Sequence, residues 1–406
     1  MLKSNIIMSI KKKTGFAEAN KIDGYLFTGY SQKKLQCLSE TYEELAKIYR
    51  SIPQEQLISD NRRDILYTKQ LQETKNVFAN HLDEISGAFA EVADTVMHVS
   101  LPVEHKRRSL IHYLKKRGVI VRELIFLEGE NTSGAKNRIS IEARVSGRYT
   151  LPVDELCMMI SEFFGRNLIP ALESTMMLNR CYATFIFEDA PQYSVMSAVA
   201  RATKENEKIS GDNFSLEEYN QNQVVMMISD GMGSGEQACR DSQAVVELME
   251  KFFEAGFNKE RAFAMANGAF ASQTHGCNLT TLDLCAINLL TGEAEFMKAG
   301  AAPSYLKRCG KTDEIVSDTL PLGGMEDIYP LTRFIKLKSG DMIIMVSDGV
   351  TDAFDNTDKN MTELITSYNT ANPKEMSDYL MQNAIKAQKG HISDDMTILV
   401  VSIWES

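Results

Sequence analysis

Two apolar runs in the second half of the chain end in the same three residues. Residues 223–230 read QVVMMISD and are followed by Gly231; residues 341–348 read DMIIMVSD and are followed by Gly349. A short apolar run closed by a turn residue predicts a strand buried on both faces. A third element, SDDMTILVVSIW, reverses the order and sets Asp394 and Asp395 just before a strand. From about residue 191 the pattern predicts strand YSVMSAVARATK, the segment SGDNF at 210–214, strand 223–229, and helices over 236–254 and 259–271. Strands TTLDLCAINLL, EAEFMKAG, SYLKRC, EIV, TRFIKL and DMIIMVSD come next, then a helical stretch near 361–389 and the closing strand MTILVVSIW. Strands joined by short turns, with helices entering as pairs, predict antiparallel sheets flanked by helices. The helix over 236–254 carries an apolar stripe of Val245, Leu248, Met249, Phe252 and Phe253.

Upstream the pattern changes. Residues 1 to about 60 show weak periodicity and predict only helical segments. Over 61–97, Leu71, Phe78, Leu82, Ile85, Phe89, Val92 and Val96 recur at helical spacing, which predicts one long helix. At ~1.5 Å per residue it reaches roughly 50 Å, long enough to pack on its own domain or to pair with a second copy. Between about 100 and 190 a basic helix (EHKRRSLIHYLKKRG), strands VIVRELIFLE and NRISIEARV, helix VDELCMMISEFFGR and strand CYATFIFEDA predict a small α/β module. The basic clusters at 106–108 and 115–117 are expected on a solvated helix face, with an acidic partner as the alternative. The expected domains are a helical N-terminal region (1–100), an α/β regulatory module (101–190) and a catalytic domain (191–406).

Composition narrows the class. The 406 residues are 44% hydrophobic and 24% charged, as in ordinary globular proteins, with a net charge of -11. That balance argues against a nucleic-acid surface. Seven scattered cysteines without a CxxC pair indicate neither a disulfide framework nor a zinc knuckle, which points to a reducing cytosol. No run of about 18 or more uncharged apolar residues predicts a membrane span. The first residues, MLKSNIIMSIKKK, place the apolar patch before the basic one, the wrong order for a signal peptide.

The candidate chemistry lies at the acidic strand ends. Carboxylates brought from three strand ends to one point repel one another and resist ionisation unless a cation neutralises them, so together they predict a metal site. The glycine after Asp230 permits a sharp turn and offers its carbonyl as a further hard ligand. With no His or Cys nearby at ligand spacing, oxygen ligation selects Mg²⁺ or Mn²⁺ over zinc. The GMGSG run can also be read as a phosphate cradle at a helix N-terminus, although its spacing fits neither GxGxxG nor the P-loop. Cys239 reads as buried filling. His275 and His391 read as loop histidines, with protonation of a leaving group as the alternative.

The motifs SGDNF, SDGMGSGEQA, TTLDLCAINLLTGEAEFMKAGAAPSYLKR, LPLGG, GDMIIMVSDGVTDAF and SDDMTILV occur in this order. In that order they resemble the bacterial PPM-type, metal-dependent serine/threonine protein phosphatases, and among them the sporulation phosphatases. The resemblance is strong over about 191–406 and fainter over 61–190. It implies an α+β fold: a β-sandwich flanked by helices, preceded by a long helix and an α/β regulatory module. It also implies two Mn²⁺ or Mg²⁺ ions, with Asp230 bridging both, the Gly231 carbonyl on one, and Asp348 and Asp394 completing the site. Asp212 would act through a metal-bound water, and Asp395 would support the ligands without binding. Two such ions activate a water for in-line attack on phosphorus without a covalent enzyme intermediate. The implied substrate is a phosphoserine or phosphothreonine protein of the anti-anti-sigma type, in sporulation or stress sigma-factor control. Regulation is expected through dimerisation by the 61–97 helix, acting on the 236–254 and 259–271 helices. The sporulation phosphatases carry a multi-spanning membrane region that is not seen here, so a cytoplasmic protein, or the cytosolic part of a membrane-associated system, is expected. The alternatives are a catalytically silent scaffold binding phosphoprotein partners and a metal-dependent nucleotide hydrolase.

Overall fold

The structure is a computed structural model and describes residues 35–47, 78–90, 98–100, 104–128, 138–172, 174–219, 222–233, 235–254, 257–271, 279–325, 328–354 and 360–406. They fall into two compact units, residues 1–150 with 177–186 and residues 151–176 with 187–406.

In the first unit, helices α1 (35–47) and α2 (78–90) pack together. The Ser86 hydroxyl donates to the Ser39 carbonyl at 2.8 Å, and the rings of Tyr42 and Phe89 stack at 5.5 Å. The buried face of α2 is Ala79, Leu82, Ser86 and Ala88, whereas Phe78 is 46% exposed. The seam therefore follows small residues that allow close approach, and Phe78 leaves the expected stripe. Leu71, Val92 and Val96 lie outside the described residues. After β1 (His98–Ser100), helix α3 (Glu104–Lys116) lies on β2 (Val119–Glu128), which pairs antiparallel with β3 (Arg138–Val145). Strict alternation on β3 buries Ile139, Ile141, Ala143 and Val145, and Leu110 and Leu114 of α3 are buried too. Lys106, Arg108, Lys115 and Lys116 are exposed, as on a solvated face.

The second unit begins with β4 (Leu151–Pro152), α4 (Val153–Phe164) and β5 (Leu168–Pro170). The chain then re-enters the first unit through β6 (Met177–Leu178) and the start of β7 (Ala183–Asp189), whose end, Phe187–Asp189, pairs antiparallel with β5. The remainder of the second unit is a sandwich with helices outside. One sheet has the order β15-β12-β11-β10-β9, from β9 (Asp212–Tyr219), β10 (Gln223–Asp230), β11 (Leu282–Asn288), β12 (Glu293–Ala299) and β15 (Leu331–Lys336). The other has the order β14-β13-β16-β17-β8, from β8 (Tyr193–Ala202), β13 (Ser304–Arg308), β14 (Lys311–Ile315), β16 (Met342–Val346) and β17 (Met396–Glu405). Every pairing in both sheets is antiparallel.

Between the sheets, Met226, Ile228, Cys285 and Phe296 meet Leu306, Ile343, Met345 and Leu399. Helices α5 (Glu236–Glu254) and α6 (Lys259–Ala271) cover the outer face of the first sheet, where Val245, Met249 and Phe263 pack on Val225, Met227 and Leu284. On the second sheet, α7 (Asp348–Asp352), α8 (Met361–Ser367) and α9 (Pro373–Ala387) bring Val350, Ile365, Met376 and Leu380 onto Ile344, Ile398 and Val400. Strands buried on both faces are what continuous apolar runs require. The fold is thus the α+β sandwich that the sequence predicts. Two details differ. The helical stretch near 361–389 is two helices, because Asn372 caps Lys374 N and Pro373 starts a new first turn. Residues 212–219, too polar to read as a strand, form β9 by pairing along the whole of β10.

Candidate functional site

The second unit brings four of the five sequence-selected residues to one end of the sandwich through β9, β10 and β16, and the fifth through the turn before β17. Asp230 ends β10 and sits opposite Asp212 in the register with β9. Its N–H donates to Thr281 Oγ1 at 3.0 Å and its carbonyl accepts from Thr281 N at 2.9 Å. Gly231 bridges to Thr280, and a Cβ there would run into the Ala238 carbonyl, so only glycine lets α5 start this close. On the second sheet, Ser347 stands at the N-cap position of α7, its hydroxyl accepting from Thr397 N at 2.9 Å, and Asp348 opens the helix; a Cβ on Gly349 would meet the Asp395 carbonyl.

Asp394 and Asp395 are neighbours with different surroundings. Asp395 is buried and accepts from Lys204 N at 2.9 Å and Gly211 N at 2.7 Å, which fixes the SGD segment ahead of Asp212. Asp394 stays open to solvent, 3.5 Å from Lys204 Nζ. Helix α5 grips the same segment: Ser242 Oγ donates to the Gly211 carbonyl at 2.5 Å and accepts from Asn213 Nδ2 at 2.8 Å.

Charge accumulates at this end. Asp212 is 1% exposed, and its Oδ2 has no hydrogen-bond partner among the described residues. Burial raises its carboxyl above the usual carboxylate range, and the Thr397 and Ser347 hydroxyls partly offset this. Burial also raises Asp230, reinforced by the charges of Asp212, Asp348 and Asp394. Asp348 is raised by burial as well, with partial relief from the Gly349 N–H. Among the described residues, no three His, Cys, Asp or Glu side chains close into a finished ligand set. The structure therefore gathers the acids at one end without wrapping them around a point. An all-oxygen donor set with one unpartnered buried oxygen fits a hard divalent cation, whose charge would offset the repulsion.

The other candidates separate from the site. His391 is exposed and pairs through Nδ1 with Glu205. His275 lies outside the described residues. Cys239 is half-buried, not buried as expected, because its turn of α5 faces Asn213 at the rim. Missed altogether were Asp283, Lys298 and Ser304, which sit together inside the sandwich beneath Asp230. Two charged residues within otherwise apolar strand stretches, TLDLCAI and EFMKAG, were the available signal.

Comparison with known proteins agrees with this architecture. Residues 220–404 match the family described as Stage II sporulation protein E (SpoIIE). The chain is 26% identical over 387 residues to Stage II sporulation protein E of Bacillus subtilis (strain 168), covering 93% of this chain and 44% of that protein. It is 26% identical over 339 residues to the protein of that name from Priestia megaterium, covering 82% of this chain and 57% of that one. The chain spans about half the length of these curated relatives. A solved structure of the PP2C phosphatase domain and a regulatory-domain fragment of SpoIIE from Bacillus subtilis aligns with a TM-score of 0.60 at 26% identity, over 85% of this chain and 96% of that one. Residues 220–404 are thus similar to the Stage II sporulation protein E family, and the fold is similar to that of the SpoIIE PP2C phosphatase domain.

Proposed function

We propose that residues 191–406 form a divalent-metal-dependent phosphatase acting on phosphoserine or phosphothreonine in a protein. The observation that carries this is the placing of Asp212, Asp230, Asp348 and Asp394 from three strand ends and one turn at a single end of a PP2C-type sandwich. Asp230, Asp348, Asp394 and the Gly231 carbonyl would hold two Mn²⁺ or Mg²⁺ ions, and Asp212 would act from its buried position beside them. When bound, such ions supply an activated water and neutralise charge on the phosphoryl group. The chain's own part is positional. Thr281 and Ser347 fix the two strand ends, and Asp395 and Ser242 fix the SGD segment from opposite sides. No protein nucleophile is required, consistent with Cys239 standing at the rim.

The substrate proposed, on the resemblance of the ordered motifs, is a phosphorylated anti-anti-sigma-type protein in sporulation or stress sigma-factor control; the relatives' names supply the sporulation setting alone. Residues 1–190 are proposed to regulate the domain, by dimerisation through the 61–97 segment, from the cytoplasm or as the cytosolic part of a membrane-associated system. Among the described residues, no helix is long and apolar enough to cross a membrane. One observation favours the silent scaffold instead: among the described residues, no three acid, His or Cys side chains stand close enough to hold an ion together. Mn²⁺-dependent release of phosphate from a phosphoserine protein, lost in Asp230→Asn, is the expected result. Undiminished hydrolysis in a chelator would overturn the proposal.

A further inference from the structure

The apolar core between the sheets stops one layer short of the candidate site. On β10 the core residues Val224, Met226 and Ile228 lead, at every second position, to Asp230; on β11, Ile287 and Cys285 lead to Asp283. On β12, Ala294 and Phe296 lead to Lys298, and on β13 Leu306 leads to Ser304. Lys298 and Asp283 are 0% and 1% exposed. Lys298 Nζ lies 2.6 Å from Asp283 Oδ2 and 2.8 Å from Ser304 Oγ, whose hydroxyl donates to the same Oδ2 at 2.5 Å. Asp283 Oδ1 is buried and has no hydrogen-bond partner among the described residues. Asp283 also lines a cavity of about 20 Å³ shared with Asp230, Thr281, Ser347 and Asp348.

Stability alone is a weak reason for such a layer. A buried ion pair can often be replaced by apolar side chains of similar volume with no loss of stability, and an unpartnered buried oxygen carries its own penalty. A space of this size holds one water where several polar groups face it. Water can also donate to two carboxylates at once, which no neighbouring hydroxyl can.

We infer that Asp283, clamped by Lys298 and Ser304, is a positioning residue of the metal centre. One water in this cavity donates one hydrogen to Asp283 Oδ1 and the other to the Asp230 carboxylate, and so holds Asp230 in ligating orientation beside Asp348. This rests on the metal-dependent reading of the acidic end.

The test is Mn²⁺ titration of the full chain by calorimetry, with thermal unfolding followed in parallel. The combined variant Asp283→Val with Lys298→Met is expected to bind Mn²⁺ about 10-fold more weakly, the lower end of losses from supporting residues around metal ligands. Its melting temperature should hold or rise, a combination that a merely structural pair does not produce. Wild-type Mn²⁺ affinity in that variant overturns the inference. If the double variant does not fold, Ser304→Ala decides, since it removes one hydrogen bond and leaves both charges paired: weaker Mn²⁺ binding supports the inference and unchanged binding overturns it. Asp230→Asn separates the two levels. Equal Mn²⁺ binding by Asp230→Asn and wild type removes the metal reading itself; loss there, with normal binding in the double variant, removes only the role of Asp283.

Discussion

Asp230 and Asp348 leave their strands through the same Ser-Asp-Gly sequence, yet the cross-strand tie falls on Asp230 itself in the first and one residue earlier, on Ser347, in the second. The Asp230 backbone is tied to Thr281 in both directions and faces Asp212 across the ladder, while Gly231 lies tight under Ala238. Asp348 instead opens a five-residue helix, and the Thr351 hydroxyl of that same helix donates to its carbonyl. One sequence pattern thus yields a fixed acid and a more adjustable one. A bridging ligand needs the first kind of support; a ligand to a single ion tolerates the second.

The largest expected effect breaks this contrast directly. Asp230→Asn should reduce phosphatase activity to background, and Asp348→Asn should lower kcat/KM on the order of 100-fold, as when one electrostatic group of a site is removed. Equal residual activities would show that the two strand ends are equivalent. Circular dichroism should show both variants folded.

Next come the neighbours Asp394 and Asp395. Asp395→Ala leaves the Lys204 and Gly211 N–H groups without their acceptor, at about 1–3 kcal/mol for each such group that stays buried. Asp394→Ala should leave the denaturant midpoint within about 0.5 kcal/mol of wild type, because its carboxylate is open to solvent, while still impairing activity. Identical unfolding midpoints would remove the distinction between a brace and a ligand.

A smaller effect separates the two glycines. Gly231→Ala and Gly349→Ala both push a Cβ into a backbone carbonyl, at a cost of about 1–3 kcal/mol in urea unfolding. Gly231→Ala displaces the start of α5, so it should also weaken Mn²⁺ binding more than Gly349→Ala does.

The smallest effect is on pH. Asp212 and Asp230 are raised to about 6 and about 8, so the folded chain holds protons that the unfolded chain releases at ordinary aspartate values. Ion-free stability should therefore fall as pH rises from about 4 toward about 8, and the stabilisation gained from added Mn²⁺ should grow over that range. A melting temperature in EDTA that rises from pH 6 to pH 8 would contradict this.

Much of the sandwich was legible because its strands are buried on both faces, so runs such as VVMMIS and MIIMVS stand out against their turns. Helix 236–254 was legible from its apolar stripe. Strand β9 was not, because DNFSLEEY owes its strand state to pairing with β10 and lacks an apolar run. The seam of α2 also escaped, since Ala79 and Ser86 give a weak hydrophobic signal although they set the approach to α1. Asp230, Asp348, Asp394 and Asp212 stood out through shared grammar and resemblance. The Asp283–Lys298–Ser304 layer did not, because three strands contribute one polar residue each, and only the fold brings them together.

The acidic ends are proposed to form a metal centre with Asp230 as its fixed member. Calorimetric titration of Mn²⁺ into wild type and Asp230→Asn near pH 7.5 tests it most directly. About two ions per chain are expected for wild type, as in two-metal hydrolytic sites, with loss of that binding in the variant. Absence of binding to wild type, or equal binding to both proteins, would contradict it.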